Sequence, residues 1–311
     1  MNLFYPVIIL ICFIQIKQMI VLPHLISLIV YLIISIYYTY IQSIYGVFSA
    51  ILLIFYDSFE IKNIVETYTS NKTSIPKIIY QTWHSVNLPP KMTECVERLK
   101  LDNPDFEYHL YDNDMCRKFI DDNYDKDVLN AYDQLLPGAF KADLWRYCVL
   151  YKTGGIYLDI KFQCESGFSL NDIISHNYYI REYNHRGTGL YNHIVYTGCI
   201  SSFPKNPIFI KCIKQIVENC RTKFYGTEHT SPTGPYLFGS FMDPYEIENS
   251  EYAYYEKNGI GYIRNIENNN IIMSHYNEYR KEQQLFGKGI YWKDAWIRRD
   301  IYDSSLSSSI G

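Results

Sequence analysis

The sequence predicts an α/β domain behind an N-terminal hydrophobic helical membrane anchor, and three observations carry that prediction. Residues 1–56 contain Lys17 as their only Lys, Arg, Asp or Glu. From residue 75 onward, short β-branched and aromatic runs alternate with stretches of helical spacing, the pattern of an α/β domain with ligands at strand C-terminal ends. Between them, residues 138–161 read GAFKADLWRYCVLYKTGGIYLDIK, an amphipathic helix that stops at Gly154-Gly155 and passes into a short strand. At 311 residues the chain holds one large domain plus extras. A net charge of -4 and the lack of a Lys/Arg-rich block argue against a nucleic-acid role. Tyr is abundant, 32 of 311, which reads as coding bias rather than as assigned sugar platforms.

The stretch from Gln18 to Tyr56 is 39 residues without a Lys, Arg, Asp or Glu. As a helix it would be roughly 58 Å long, against a hydrocarbon core of about 30 Å. One tilted span with an interfacial extension fits, as does a pair of spans broken at Pro23-His24. Tyr37, Tyr38, Tyr40 and Tyr45 suit a membrane interface, and the stretch is too long for the apolar core of a signal peptide. Lys17 on one side and Lys62, Lys72 and Lys77 on the other leave the orientation open. Residues 57–74 form a polar stem carrying one glycosylation sequon, Asn71-Lys72-Thr73, a mild pointer to a luminal domain. Eight cysteines show neither CxxC nor zinc-ligand spacing. Cys12 and Cys148 read as small hydrophobes.

The domain spans 75–303. Pro76 to Trp83 is a buried strand bounded by Pro, Asn87-Leu88-Pro89-Pro90 a turn, and Lys91 to Leu101 a helix. Phe106 to Tyr111 alternates as a half-buried strand does. Asn113 to Tyr124 and Lys126 to Leu136 read as helices. Beyond the 138–161 segment, strands are expected at 178–181, 194–202, 261–266 and 271–275. A helix at 206–220 turns Ile208, Cys212, Ile213, Ile216 and Val217 inward, with Ile210 more weakly. Residues 304–311 form a Ser-rich tail expected to be disordered.

Within the central segment, Asp143 lies 11 residues before Gly154, roughly 16 Å back along a helix at about 1.5 Å per residue. Asp159 lies 4 residues beyond Gly155, roughly 13 Å along a strand at about 3.3 Å per residue. If helix and strand pack antiparallel, Asp143, Arg146, Asp159 and Lys161 converge. Such a buried cluster calls for a bound anion, a metal or both. Lys141 and Tyr147 are neighbours without a motif role.

The run ADLWRYCVLYKTGGIYLDI, preceded by IPKIIYQTWH at residues 75–84, resembles glycosyltransferase family 32. That group carries a DXD sugar-nucleotide motif and includes initiating mannosyltransferases and inositol-phosphoceramide glycosyltransferases. The helix-Gly-Gly-strand unit is also similar to the catalytic domain of the large clostridial glucosylating toxins. The likeness is strongest at 76–83, 137–161 and Thr233-Gly234-Pro235. It implies a GT-A fold, a Rossmann-like mixed sheet with a nucleotide-sugar crevice, and retaining transfer of a hexose from a nucleotide-diphosphate sugar to a glycan, glycoprotein or glycolipid. By that resemblance the strand Ile78 to Gln81, with Gln81 and Trp83, borders the nucleotide base. Asp143 and Arg146 bond donor-sugar hydroxyls, and Gly234 contacts substrate. Asp159 meets the ribose and the metal side of the diphosphate beside a divalent cation, manganese first. His275 is the candidate additional ligand for metal or diphosphate, and Trp292 and Trp296 either close over the donor or fill the core.

The sequence departs from the family at one position, where the usual Asp-x-Asp reads Asp159-Ile160-Lys161. Lysine has donors only and cannot ligate a cation. Asp159, other groups and the diphosphate could still hold the metal; Lys161 could itself neutralise the leaving diphosphate, making Asp159 and Lys161 the catalytic pair; or the chain could be a non-catalytic sugar-nucleotide or glycan-binding subunit. The Asp-Ile-Lys form is similar to one branch of the family in large DNA viruses. The anchor implies an ER- or Golgi-type endomembrane, with the side of the catalytic domain open.

Overall fold

The computed structural model describes residues 31–41, 75–165, 167–183, 190–303 and 305. The chain divides into two units, 1–62 and 63–311. In the first, residues 31–41 form helix α1, with Tyr31 71% and Ile36 67% exposed. Among the described residues no helix is long and apolar enough to cross a membrane. Apart from α1, the expected anchor at 1–56 and the stem at 57–74 lie outside the described residues. So does the expected tail at 304–311, apart from Ser305.

The second unit is a mixed α/β domain, as expected. Its elements are β1 (Ile78–Thr82), α2 (Pro90–Asp102), β2 (Glu107–Tyr111), α3 (Asn113–Asn123), α4 (Lys126–Gln134), α5 (Gly138–Thr153), β3 (Gly155–Leu158) and β4 (Phe162–Cys164). A 3-10 turn at Leu170–Ile173 leads to β5 (Tyr178–Tyr183), β6 (Leu190–Ser202), α6 (Pro207–Thr222), α7 (Pro235–Ser240) and α8 (Pro244–Glu248). The chain continues through β7 (Tyr252–Lys257), β8 (Ile260–Asn265), β9 (Ile271–His275), α9 (Tyr279–Phe286) and α10 (Trp292–Ile297). Local chemistry sets several helix starts: the Asp112 and Asp125 carboxylates accept from the amides of Met115 and Val128 and cap α3 and α4. The strands β4 and β7 and the short helices α7 to α10 were not foreseen.

The described strands form one sheet in the order β2-β1-β3-β6-β5-β7-β8-β9-β4. Strands β1, β2 and β3 run parallel, so Trp83, Tyr111 and Asp159 all emerge at the same edge. The sheet cannot be flat. Strands β3 and β4 lie six places apart in it, about 29 Å at about 4.8 Å per strand. Only Asp159-Ile160-Lys161 joins them, and the four Cα steps from Leu158 to Phe162 reach at most about 15 Å. The sheet therefore curls until β4, paired with β9 through Phe162 opposite His275, returns beside the end of β3. The Asp-Ile-Lys segment is the seam of that curl.

Helix α5 differs from the amphipathic expectation. Phe140, Leu144, Trp145, Tyr147, Cys148, Val149 and Leu150 are all buried, because α5 contacts β3 as well as α3, α4, α6 and α10. A helix covered on most sides is apolar all round. It ends at Gly154, whose φ of +67° is a left-handed conformation. A Cβ there would lie 2.6 Å from the Pro204 nitrogen. Gly154→Ala combines backbone strain with a collision against backbone. It is expected to destabilise the domain by about 1–3 kcal/mol, read as a lower urea midpoint at unchanged slope.

Candidate functional site

Asp143, Arg146, Asp159 and Lys161 do converge, as one chain of contacts. Arg146 Nη1 lies 2.9 Å from Asp143 Oδ1, Arg146 Nη2 3.4 Å from Asp159 Oδ1, and Lys161 Nζ 2.9 Å from Asp159 Oδ2. Charge alternates along this line and sums to zero. The cluster thus neutralises itself, which corrects the expectation that it must hold a ligand to exist. Position 161 is what makes the difference. An aspartate there would leave three carboxylates against one guanidinium, a deficit of two charges that a divalent cation matches. Lysine removes that deficit.

Each group is held by several elements. Arg146 Nη1 donates to the Thr197 carbonyl at 2.9 Å and to Thr197 Oγ1 at 2.7 Å. Its Nη2 donates to the Tyr157 hydroxyl at 3.1 Å, and the guanidinium lies 4.3 Å from the centre of the Tyr157 ring. The Thr233 hydroxyl donates to Asp143 Oδ2 at 2.7 Å, while the Tyr147 hydroxyl donates to the Thr233 carbonyl at 3.1 Å. The Tyr157 and Tyr196 hydroxyls donate to Asp159 Oδ1 and Oδ2 at 2.9 and 3.4 Å.

Burial separates the four charges into two kinds. The Asp143 and Arg146 side chains are 10% and 7% exposed, whereas Asp159 and Lys161 keep 21% and 15%. Burial pushes the Asp143 carboxyl up against the opposing pull of Arg146 and Thr233. Burial also acts to raise Asp159, but Lys161 and Arg146 outweigh it and hold that carboxyl at about 2. Arg146 is raised further above its usual value, because Tyr157, Asp143 and Asp159 outweigh the opposing effect of burial. Asp159 and Arg146 therefore keep their charges at neutral pH.

Gln81 is fully buried, where Nε2 donates to the Asp159 carbonyl at 3.4 Å and Oε1 accepts from the Tyr108 hydroxyl at 2.8 Å. It braces the seam from behind. Trp83 packs on the cluster of Met92, Cys95, Val96, Ile160, Tyr276 and Tyr279, and its Nε1 finds no hydrogen-bond partner among the described residues. Gly234 approaches the site through Asp143, whose Oδ2 would lie 3.2 Å from a Cβ placed there. Trp292 and Trp296 pack against the main core, and Trp296 Nε1 donates to the Tyr225 carbonyl at 2.8 Å.

His275 is buried, with Nδ1 accepting the Gly261 amide at 3.0 Å. That bond selects the tautomer with its proton on Nε2, leaving no lone pair there for a cation. Burial, with the nearby Lys161 and Arg280, holds the ring neutral down to about 2. Among the described residues no group of three or more His, Cys, Asp or Glu could hold a metal ion. With Lys161 already on Asp159 and a proton on His275 Nε2, these donors do not fit a cation held by protein ligands. All seven described cysteines are buried and free.

Three parts of the site escaped sequence reasoning. Gly198 lies opposite Asp159, accepting its amide at 2.7 Å, and a Cβ there would stand 2.5 Å from Asp159 Oδ2. An isolated glycine within a strand is the available signal. Tyr157 and Tyr196 belong to the second omission; Tyr157, two residues before Asp159 on one strand face, was legible. The third is Glu182, across from Tyr254 in the β5–β7 pair, and nothing in its own neighbourhood signals it. Burial, opposed by Lys161 and reinforced by Glu256, raises its carboxyl to about 7.

A family model described as "Glycosyltransferase sugar-binding region containing DXD motif" matches residues 89–180. The matched segment includes Asp143, Arg146, Asp159 and Lys161, and the chain spans under a third of the length of the first curated mannosyltransferase it matches. Inositol phosphoceramide mannosyltransferase 3 of Schizosaccharomyces pombe is 38% identical over 99 residues, covering 32% of this chain and 28% of that protein. An uncharacterized glycosyltransferase of Acanthamoeba polyphaga mimivirus is 29% identical over 177 residues, covering 56% of this chain and 67% of its own length. Among solved structures, the PaToxG glycosyltransferase aligns over 79% of this chain and 95% of its own, with 15% identity and a TM-score of 0.41.

Glu182 has a thermodynamic consequence. The folded chain keeps this proton up to about 7, whereas an ordinary glutamate releases it at 4.5. Between those values the unfolded state has released a proton that the folded state retains, so stability falls as pH rises through this window. Glu182→Gln is expected to flatten that slope and to raise the melting temperature relative to wild type at pH 8 but not at pH 4. Thermal denaturation at the two pH values checks it.

Proposed function

We propose that this chain is a membrane-anchored, GT-A-like hexosyltransferase in which Lys161, fixed by Asp159, supplies the positive charge that meets the leaving diphosphate. The observation that carries the reading is the 2.9 Å contact between Lys161 Nζ and Asp159 Oδ2 at the exit of β3, inside the segment that matches the family. Of the four charges, Lys161 is the cation that a ligand can reach. Its ammonium also lies 5.7 to 5.9 Å from the ring centres of Phe162, Tyr196 and Tyr279. These rings and Asp159 restrict it to one position before any substrate arrives, and a preorganised charge stabilises a developing anion without reorganising.

The donor's diphosphate lies against Lys161, with the sugar towards Asp159 and the Asp143–Arg146 pair behind it. The bond between the anomeric carbon and the diphosphate oxygen breaks, its electron pair leaves with the oxygen, and Lys161 offsets the growing negative charge. An acceptor hydroxyl attacks from the same face, with retention, and its proton passes to the departing phosphate oxygen. Asp143 and Arg146, being more deeply buried, act chiefly by fixing Asp159 and the floor beneath the sugar. The names of the mannosyltransferase relatives and the composition of residues 1–56 favour a lipid-borne acceptor of the inositol phosphoceramide kind and an endomembrane location.

The test is a transfer assay with purified full-length protein, UDP- and GDP-hexoses and lipid or glycan acceptors. Asp159→Ala is expected to lower turnover by about 100-fold or more, the scale of losing one charge-positioning group in a preorganised site. Near wild-type turnover would sink the assignment. Donor binding by wild type without transfer or hydrolysis would favour the non-catalytic binding subunit instead.

A further inference from the structure

We propose that the surface segment from Leu285 to Arg299 docks on an anionic lipid bilayer. Five large apolar side chains stand exposed within it: Leu285 at 66%, Phe286 at 48%, Ile290 at 37%, Tyr291 at 48% and Ile297 at 62%. Lys288, Lys293, Arg298 and Arg299 are interleaved with them, all exposed, against a single acid, Asp294. Arg299 lies over the rings of Tyr225 and Trp296 at 4.6 and 5.3 Å. No ion pair among the described residues engages Lys288, Lys293 or Arg298. Apolar and aromatic side chains mixed with unpaired cations are the composition of an interfacial surface.

The segment is held firmly from its inner side, so its outward residues are not misplaced core. Glu282 of α9 is buried and accepts the amides of Lys91 and Met92 at 2.8 and 2.9 Å. It thereby caps α2, which has no side-chain cap of its own. The Tyr276 hydroxyl donates to the same carboxylate at 3.0 Å. His84 Nε2 donates to the Phe286 carbonyl at 2.8 Å. In α10, Ala295 is fully buried and Trp296 is hydrogen-bonded inward. These contacts fix which faces of α9 and α10 look outward.

Charge selects the occupant. A symmetric pairing with a second copy would bring like-charged segments together, whereas an anionic leaflet complements them. Each Lys or Arg near such a surface strengthens partitioning roughly fivefold. The place also suits a lipid-borne acceptor. Tyr279, at the start of α9, has its ring centre 5.9 Å from Lys161 Nζ, and Phe286 follows roughly 10 Å further along the helix at about 1.5 Å per residue. That link to the reaction rests on the glycosyltransferase reading; the lipid contact does not, and its test reads binding rather than turnover.

The test uses the full chain in a Cys12→Ala background, since the described cysteines are buried. A polarity-sensitive fluorophore is attached at Ile297→Cys, with Leu101→Cys on α2, 79% exposed, as the control. The protein is reconstituted into phosphatidylcholine vesicles with and without phosphatidylserine. The expected result is a blue shift, with quenching by spin-labelled lipid, at position 297 alone and only with phosphatidylserine. Adding Lys288→Gln, Lys293→Gln and Arg298→Gln is expected to weaken this seating roughly 100-fold. Water-like emission at 297 on anionic vesicles would overturn the proposal. So would a shift indifferent to phosphatidylserine and to the three substitutions, which would mean that a second copy or the chain's own N-terminal unit covers the segment.

Discussion

Arg146 sits where α5 meets β3 and β6, and its contacts tie these elements together. Its guanidinium reaches Asp143 on its own helix, Tyr157 and Asp159 at the end of β3, and both the carbonyl and hydroxyl of Thr197 on β6. Buried as it is, it cannot be removed neutrally. Breaking one partner of a buried pair leaves an uncompensated charge and costs about 3–5 kcal/mol. The position of Asp159 depends on this anchor, and the seam through which the sheet curls depends on Asp159. The seam has three residues to work with, so an error in where β3 ends would carry directly into β4 and its pairing with β9.

The same arrangement explains how the chain tolerates lysine where the DXD motif named for the matching family model has a second aspartate. Two carboxylates at the seam would repel each other and Asp143 unless a cation intervened. With Lys161 the seam carries its own counter-charge and is neutral before substrate arrives. The cost is reduced flexibility in the choice of cation. A lysine tethered to Asp159 and set among Phe162, Tyr196 and Tyr279 offers one charge at one place, where a metal offers two charges and open coordination positions. Such a site favours a ligand whose charge falls next to the ammonium, as a diphosphate leaving group does.

Much of this could be read in the chain before the fold was known, for identifiable physical reasons. Helices α2, α3, α4 and α6 and strands β1, β2, β6 and β9 announced themselves through periodicity and their Pro, Asp and Asn boundaries. The convergence of Asp143, Arg146, Asp159 and Lys161 followed from helix rise and strand rise about Gly154-Gly155. Their self-neutralisation did not, because two segments lying close gives no information on which atoms touch. The environment of α5 was misjudged since its spacing reports one apolar face, while burial on the others comes from distant helices. Strand β4 was too short to show a period. Glu182 on β5 and Tyr196 on β6 reach the site only through the pairings of β5 with β6 and β7 and of β6 with β3, and such long-range pairings are invisible locally.

The central claim is that Lys161 stands where a cation would otherwise be needed. It is tested most directly by calorimetric titration of UDP and GDP into the full-length protein in EDTA, repeated with manganese, for wild type and Lys161→Asp. Wild type should bind one of these nucleotides in EDTA with an affinity that manganese leaves unchanged. Lys161→Asp should lose that binding in EDTA and regain it with manganese. Wild-type binding that appears only when manganese is added would contradict the account.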